Sequence, residues 1–544
     1  MKKLERSKKE KIMVRIYKKC FAFLSIIMVM SSCFNFVNAA DNTLNVEKTI
    51  AVNGGEITGT LSSDGQVAIY KGIPYAAPPV GNLRWKEPQP VVPWSGVKNC
   101  SQFSPSAMQR PQEPFLMWSK EFIIDTSKGY SEDCLYLNVW SKVEDTNKKR
   151  PVIVYIHGGA FVSGGASCDV YDGEGLAKKD VVYVSMNYRV GIFGYLAHPE
   201  LSAESKEGVS GNYGTLDQVA ALIWVKNNIE KFGGDPNNVT IVGQSAGSAS
   251  VNVLVMTPKA RGLFKNAVTM SYNYIGAKME SMKNQEAAGA KLFQGKTLDD
   301  MRAIPANELV DLPYSSGPCI DGDVVPNDLL SMLKEGSENH VNMMTGMAAG
   351  DTFLFSIVPP INKNNGKTMS KEDFVEAVTN KFGAYSKECL RAYPVDGDNA
   401  LSQFNAMNQD GNMVLQIYFA KARALKSNDP TYIYQFSHAM PGEKSDQYGA
   451  FHTADVPYFL NHFSQERKNY WTRNDYDLGN IMSSYLVNFA KWGNPNHEGA
   501  PIWKSYQGSM SYLNLKNSNR IQSANISNEK EKFWQDYYGS IFGI

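Results

Sequence analysis

A serine in a glycine-flanked run is the residue of this chain best suited to covalent chemistry. Ser245 lies in Gly243–Gly247 (G-Q-S-A-G), after the apolar, β-branched run 239–242 and before the small-residue stretch 249–254. A strand, the pattern G-x-S-x-G and a helix predict a sharp turn that lifts a serine hydroxyl above the edge of a sheet. Because the pattern alone also arises by chance in long chains, the hypothesis of a nucleophilic serine depends on its surroundings.

Two further residues have the types and positions that a nucleophilic serine needs. A serine hydroxyl requires a base within hydrogen-bond reach, and the base requires a group that orients it. His452 follows a strand predicted at 431–436, and Asp351 follows a strand predicted at 340–345. Parallel-sheet proteins place their chemistry in loops beyond the carboxyl ends of strands, and the chain order serine, acid, histidine fits such a site. The sequence therefore predicts a triad of Ser245, Asp351 and His452.

A glycine-rich loop offers backbone donors for a developing negative charge. The run His157–Phe161 (H-G-G-A-F) directly follows a strand predicted at 151–156. Small residues there let a carbonyl oxygen approach the backbone N–H groups. The N–H groups of Gly159, Ala160 and Ala246 are the predicted oxyanion hole, while the alternative is an ordinary tight turn.

Alternating strand and helix patterns must position these residues. Apolar runs predict buried strands at 135–140 and 180–186 as well, and helical apolar spacing predicts a helix over 216–232. Such alternation with short turns is typical of an α/β fold, in which a mostly parallel central sheet is flanked by helices. Beyond about residue 280 the pattern is more helical, which predicts helical insertions in the C-terminal half.

The N-terminal segment differs in composition from the rest of the 544-residue chain. A basic stretch at 2–19, a short apolar run at 20–30 and small residues at 37–40 predict a signal peptide over residues 1–40, with one domain over 41–544. The protein is therefore expected to be exported, to a periplasm or outside the cell. An alternative is that Cys33 carries a lipid anchor. The remainder is mildly acidic and has no other long apolar run, which disfavours nucleic acid as a partner and a membrane span in the mature chain.

The chain closely resembles the type-B carboxylesterase family, which includes cholinesterases, mammalian carboxylesterases and bacterial para-nitrobenzyl esterases. The matching motifs are 232–247 (F-G-G-D-P-N-N-V-T-I-V-G-Q-S-A-G), 132–139 (E-D-C-L-Y-L-N-V), 187–191 (N-Y-R-V-G) and 211–218 (G-N-Y-G-T-L-D-Q). The resemblance covers about residues 45–540. It implies an α/β-hydrolase fold and a serine carboxylesterase acting on a small-molecule ester, with Ser245 as nucleophile, His452 as base and Asp351 as acid. It implies no metal or organic cofactor.

Structural features are implied by the same resemblance. They are a disulfide between Cys100 and Cys134, ion pairs of Arg84 with Glu132 and of Arg189 with Asp217, and a supporting serine behind the site at Ser271. The pairing of Cys168, Cys319 and Cys389 stays open.

Several residues depart from the family pattern. Gln244 stands where the family usually has glutamate, which removes a negative charge beside the site. Asp351 stands where the family usually has the longer glutamate, and the alternative acids Asp321 and Asp323 lie in a segment that resembles a structural part of the family. Ile124 replaces the choline-binding tryptophan of cholinesterases, and Trp118 is near but out of place. Cholinesterase activity is therefore disfavoured.

Other functions remain open within the same fold. The chemistry could act on feruloyl or acetyl esters of plant polysaccharide, or on lipid-like esters, with aromatic residues such as Trp118, Phe122 and Tyr272 lining the cavity. A non-catalytic, cholinesterase-like adhesion protein is the alternative from another class. Such proteins typically lack a member of the triad, and this chain has all three residue types in order.

Overall fold

An 11-stranded sheet forms the centre of the molecule, and its middle strands are parallel. The computed structural model describes residues 49–143, 148–315, 317–351 and 369–544, and Ile50–Ile544 form one unit. The strands are β1 (Ile50–Val52), β2 (Gly55–Thr58), β3 (Thr60–Leu61), β4 (Val67–Pro74), β5 (Val97–Asn99), β6 (Ser106–Ala107), β7 (Tyr130–Ser131), β8 (Tyr136–Lys142), β9 (Arg150–Ile156), β10 (Val182–Met186), β11 (Gly234–Gln244), β12 (Asn266–Met270), β13 (Asn342–Ala348), β14 (Thr431–Phe436), β15 (Ser511–Leu515) and β16 (Ile521–Asn525).

The order of the strands places the ends of β11, β13 and β14 near one another. Across the sheet the order is β16-β15-β14-β13-β12-β11-β9-β10-β8-β4-β3. Neighbours from β15 to β10 in this order pair in parallel, while β8, β4, β3 and β16 add antiparallel pairs at the edges. The remaining strands form small separate sheets, β1-β2-β5 and β6-β7. The α/β-hydrolase architecture expected from the sequence is confirmed.

Helices flank the sheet and dominate the C-terminal half. The described α-helices are Glu174–Ala177, Gly191–Tyr195, Pro199–Glu204, Tyr213–Asn228, Ala246–Met256, Met282–Leu292, Leu298–Ala303, Ala306–Val310, Leu329–Glu335, Lys371–Phe382, Ser386–Ala392, Ala400–Ala424, Ser445–Tyr448, Val456–Leu460, Arg473–Trp492 and Asn528–Phe542. Every residue of β9 and of the helix Ala246–Met256 is buried. A helix without a polar face belongs in a core, so the helix that follows Ser245 is fixed by packing along its whole length.

The predicted elements around the site are confirmed with small changes at their ends. The predicted strand at 340–345 is β13 and extends to Ala348, while 431–436 is β14 without change. The predicted helix 216–232 is an α-helix over Tyr213–Asn228 that ends in a 3-10 turn at Ile229–Phe232. Within the described ranges, none of the helices combines the length and the apolarity that crossing a bilayer requires. The predicted signal peptide and Cys33 lie outside the described residues.

The expected disulfide between Cys100 and Cys134 is not present. Both residues are buried free thiols, as are Cys168, Cys319 and Cys389. The Cys100 carbonyl accepts a hydrogen bond from the N–H of Lys71 in β4 at 2.7 Å, whereas the carbonyl of Leu135, the residue after Cys134, accepts from the N–H of Tyr75, just beyond β4. The Cys100 sulfur lies 3.9 Å from the Gly72 carbonyl oxygen. The disulfide was expected from a resemblance in sequence motifs, and these motifs do not determine the orientation of the two side chains.

Candidate active site

The turn at Ser245 is strained and can form only because glycines surround it. Ser245 has φ 59° and ψ −122°, between the end of β11 and the helix Ala246–Met256. A Cβ added at Gly243 would lie 2.1 Å from the Gly247 carbonyl oxygen, and one at Gly247 would lie 2.0 Å from the Ile156 carbonyl oxygen. Strain of this kind, about 1–3 kcal/mol for such a residue, persists where the surrounding structure enforces it and is concentrated at functional sites.

The structure brings Asp351 and His452 into direct contact. His452 Nδ1 lies 2.7 Å from Asp351 Oδ1, and because a carboxylate only accepts, Nδ1 carries the hydrogen. Asp351 Oδ2 accepts from the Ala348 N–H at 3.0 Å, which fixes the carboxylate at the end of β13. The Gly350 N–H donates to the Ala450 carbonyl at 2.7 Å, so the backbone joins the two loops beside the pair.

The second ring nitrogen of His452 contacts Gln244, which the sequence analysis noted only as a departure from the family pattern beside the site. His452 Nε2 lies 3.2 Å from Gln244 Nε2. Since Nδ1 carries the hydrogen, Nε2 has a free lone pair and the amide donates to it. Among the hydrogen bonds of the described residues, none joins the Ser245 hydroxyl to His452, although both residues line one cavity. Nucleophile–base hydrogen bonds are often long in enzymes without substrate.

The pKa of His452 is raised above its ordinary value. Burial alone lowers it, but the hydrogen bond and charge of Asp351, together with the charge of Asp455, raise it more. Asp455 is fully buried, and its Oδ2 accepts from the Tyr434 hydroxyl at 2.8 Å, while Oδ1 has no hydrogen-bond partner among the described residues. Burial and the neighbouring charge of Asp351 raise the pKa of Asp455 to about 7. The Asp351 carboxylate therefore favours the protonated form of the imidazole, and Asp455 adds to this effect when it is ionised.

Trp118 braces the histidine loop, which the sequence did not reveal. Its indole N–H contacts the Thr453 hydroxyl at 3.0 Å and the His452 carbonyl at 3.2 Å. Its ring meets the imidazole at 88°, with centroids 6.4 Å apart. Thr453 has φ 86°, an unfavourable conformation for a β-branched residue. The indole thus holds a strained backbone next to His452.

The loop after β9 has the shape expected of an anion-binding turn. Gly159, Ala160 and Phe161 have φ of 119°, 55° and 62° in succession. A Cβ at Gly159 would lie 2.1 Å from the Ser163 carbonyl oxygen. In the described part of the chain no backbone hydrogen bond engages the N–H of Gly159 or Ala160, and Ala246 is the first residue of a helix, where N–H groups lack helical partners.

Two residues hold this loop in place. Gln109 donates to the Gly164 carbonyl and accepts from the Gly164 N–H, both at 2.8 Å. His157 stacks on Tyr188, with centroids 4.3 Å apart. Burial lowers the pKa of His157 to about 4, so it is neutral and structural. Gln109 was missed by sequence analysis, because nothing in its local sequence indicates which loop it contacts.

Ser271, the expected supporting serine, is buried directly beside the site. It follows β12, has φ 66°, and its N–H donates to the Gly346 carbonyl at 2.8 Å. Its hydroxyl is buried, and none of the residues that the structure describes forms a hydrogen bond with it. The alternative acids are engaged elsewhere: Asp321 accepts from Asn212 Nδ2 at 2.7 Å, and Asp323 pairs with Lys259 at 2.8 Å.

The cavity above Ser245, called here the Ser245 cavity, has a volume of about 820 Å³. Its described lining includes Gly159, Ala160, Gln244, Ser271, Asp351 and His452, and an aromatic group of Phe115, Trp118, Phe122, Tyr171 and Tyr272. The rings of Phe115 and Trp118 stack at 18°, with centroids 6.3 Å apart. Its described lining contains no lysine or arginine, and Glu113 adds a further carboxylate. The cavity suits a neutral or cationic organic molecule with an apolar part.

The expected structural ion pairs are present away from the cavity. Arg84 binds Glu132 through distances of 2.5 and 2.6 Å. Arg189 binds Asp217 at 2.7 and 2.8 Å, with both side chains almost completely buried. None of the four residues lines the Ser245 cavity, so we assign these pairs a structural role.

The strained serine turn, the Asp–His pair and the glycine-rich loop after β9 lie at one end of a parallel sheet, which is the arrangement of an α/β-hydrolase. Residues 46–534 match the model of the carboxylesterase family. The chain belongs to this family and is a carboxylic ester hydrolase.

Three relatives show the range of this family. The chain is 32% identical over 476 residues to fumonisin B1 esterase of Sphingopyxis macrogoltabida, covering 82% of each chain. It is 30% identical over 554 residues to acetylcholinesterase of Bungarus fasciatus, covering 95% of this chain and 90% of the relative. It is 31% identical over 527 residues to acetylcholinesterase of Electrophorus electricus, covering 85% and 82%.

Proposed function

We propose that this protein is a serine carboxylesterase that acts through an acyl-enzyme. Ser245 attacks the ester carbonyl, and His452 Nε2 takes the hydroxyl proton. Asp351 keeps the hydrogen on Nδ1 and stabilises the imidazolium that forms. The tetrahedral oxyanion is bound by the N–H groups of Gly159, Ala160 and Ala246. His452 then protonates the leaving alcohol, and water repeats the sequence on the acyl-enzyme.

The 2.7 Å contact between Asp351 and His452, beside the strained Ser245 in one cavity, carries this proposal. A carboxylate that binds the Nδ1–H keeps the lone pair on Nε2, and this form of the ring can accept the serine proton. Asp321 and Asp323 have other partners. We therefore keep Asp351 as the acid.

Replacement of the nucleophile tests the proposal. Ser245→Ala should lose at least about 1000-fold in rate on an activated aryl ester. A phosphonofluoridate should add one covalent label per chain at Ser245, and the exposed Ser402→Ala should label like the native protein. Full activity in Ser245→Ala, or labelling elsewhere, would refute the assignment. An active esterase would also exclude the alternative of a non-catalytic adhesion protein.

The aromatic lining of the Ser245 cavity favours one alternative substrate class. The stacked rings of Phe115 and Trp118 offer a flat apolar surface, which fits an aromatic acyl or alcohol group such as a feruloyl ester. A panel that varies acyl length and aromatic character at constant leaving group distinguishes simple, aromatic and lipid-like esters. A choline ester beside its uncharged isostere tests the relation to the acetylcholinesterases, and we expect little preference for the cation because Gln244 is neutral.

We also propose that residues 1–40 direct export and that residues 41–544 form the catalytic domain. The order of basic residues, apolar run and small residues supports a signal peptide. Mass spectrometry of the mature N-terminus distinguishes cleavage before Asp41 from lipid attachment at Cys33.

A further inference from the structure

The side chain of Gln244 contacts His452 Nε2, the atom that takes the serine proton in the proposed mechanism. The two nitrogen atoms lie 3.2 Å apart, and Gln244 is 1% exposed. Gln244 is the last residue of β11 and pairs with Met270 of β12, so the sheet fixes its backbone. A Cβ added at Gly158 would lie 3.2 Å from Gln244 Oε1, which shows that the amide packs closely against the anion-binding loop.

The chemistry of a carboxamide suits both protonation states of the ring. Its NH₂ group donates to Nε2 of the neutral imidazole, and after a half-turn its oxygen accepts from Nε2–H of the imidazolium. A carboxylate can do only the second. Gln244 therefore supports the unprotonated histidine, which is the form that acts as a base.

The charge around His452 makes this neutrality important. The titratable groups near the imidazole are Asp351 on the β13 loop, Asp455 at the start of the helix Val456–Leu460, and Tyr434 of β14 through Asp455. Across the Ser245 cavity are Glu113, Cys168, Tyr171 and Tyr272. Asp351 and Asp455 already favour the protonated ring. A further carboxylate in contact with Nε2 would add to the same effect.

We propose that Gln244 is a positioning residue for His452: its neutral amide holds Nε2 of the unprotonated ring in the resting enzyme and yields that nitrogen to the Ser245 hydroxyl when an ester binds. The inference rests on the triad proposed above. Its consequence is that the enzyme remains active at lower pH than it would with a carboxylate at position 244.

The test is the pH dependence of kcat/KM for a neutral aryl ester, measured in a pH-stat. Gln244→Glu is isosteric and should move the acid limb of the profile to higher pH by about one unit or more, because a negative charge in contact with the imidazole favours its protonated form. Asn412→Asp is the matched control, since it adds the same charge to the Ser245 cavity at a residue without a hydrogen bond to His452. Its acid limb should move much less.

Gln244→Met separates the hydrogen bond from the charge. It removes donor and acceptor at similar volume. Because the bond to Nε2 is made in the resting enzyme and is given up to the Ser245 hydroxyl, its loss should raise kcat/KM about 2–10-fold, the equivalent of one neutral hydrogen bond. The acid limb should move much less than in Gln244→Glu. This variant also provides a test if Gln244→Glu does not fold, which thermal unfolding reveals.

Three results would overturn the inference. They are an acid limb in Gln244→Glu that coincides with the native one, a shift matched by Asn412→Asp, or native kcat/KM in Gln244→Met. These failures differ from failure of the proposed function, in which the native protein itself shows neither hydrolysis nor labelling at Ser245.

Discussion

Replacing Asp351 by asparagine should stop His452 from acting as a base while leaving the shape of the site unchanged. The contact with His452 is a charge-assisted hydrogen bond of 2.7 Å with both residues largely buried. Bonds to charged groups contribute about 1.5–3 kcal/mol, which is about 10–150-fold in rate. The amide NH₂ would in addition favour the ring form with the hydrogen on Nε2, which cannot accept the serine proton. Together we expect a loss of about 10⁴-fold in kcat, the scale of such a change in serine protease triads.

The pH profile of Asp351→Asn gives a second signature. Asp351 raises the pKa of His452, so its replacement by a neutral residue should move the acid limb of the residual activity to lower pH. The matched variant is Asp351→Glu, which keeps the charge and should retain activity within about 10-fold. Initial rates on an activated aryl ester across pH measure both effects. A loss below 10-fold in Asp351→Asn, or an unmoved acid limb, would refute the role of this carboxylate.

Two further variants test the support of the site and of the fold. Trp118→Phe removes the N–H that contacts Thr453 and the His452 carbonyl and should lower kcat/KM about 2–10-fold. The control Trp94→Phe loses a comparable hydrogen bond to the Glu56 carbonyl and should leave kcat/KM unchanged. Equal losses in the two variants would contradict the role of Trp118. Arg189→Met leaves the buried Asp217 carboxylate without its ion-pair partner and should lower the free energy of unfolding by about 3–5 kcal/mol in urea titrations. The control Arg391→Met breaks an exposed ion pair and should lower it by about 0–1 kcal/mol. Similar losses in the two variants would contradict a stabilising role for the buried pair.

The features predicted best from the sequence are those set by local geometry. The turn at Ser245 depends on glycines two positions away, and their steric need is visible in the sequence itself. Chain order and strand ends predict that His452 and Asp351 lie at one edge of the sheet, and in the structure their side chains are in contact. The parallel sheet followed from apolar runs long enough to be buried on both faces.

Features that depend on side-chain direction were missed or predicted wrongly. Trp118 was predicted only as a residue that lines the cavity, and its contact with the histidine loop, more than three hundred positions away, was missed. The disulfide expected between Cys100 and Cys134 is not found in the structure, where both are buried free thiols. The contact of Gln244 with His452 depends on one rotamer at the end of β11. None of these is encoded by residue type or period.

The hydrogen bond from the Gly350 N–H to the Ala450 carbonyl limits how far the two loops that carry Asp351 and His452 can separate. Because these two residues stand immediately beside the acid and close to the histidine, any opening that separates the loops must expose that N–H to solvent. Deuterium uptake at this one amide therefore reports how often the loops of Asp351 and His452 separate. Slow uptake would mean that the Asp351–His452 pair stays intact during local fluctuations of the fold. Substrate entry would then need to rearrange only the side chains on the Ser245 side of the cavity.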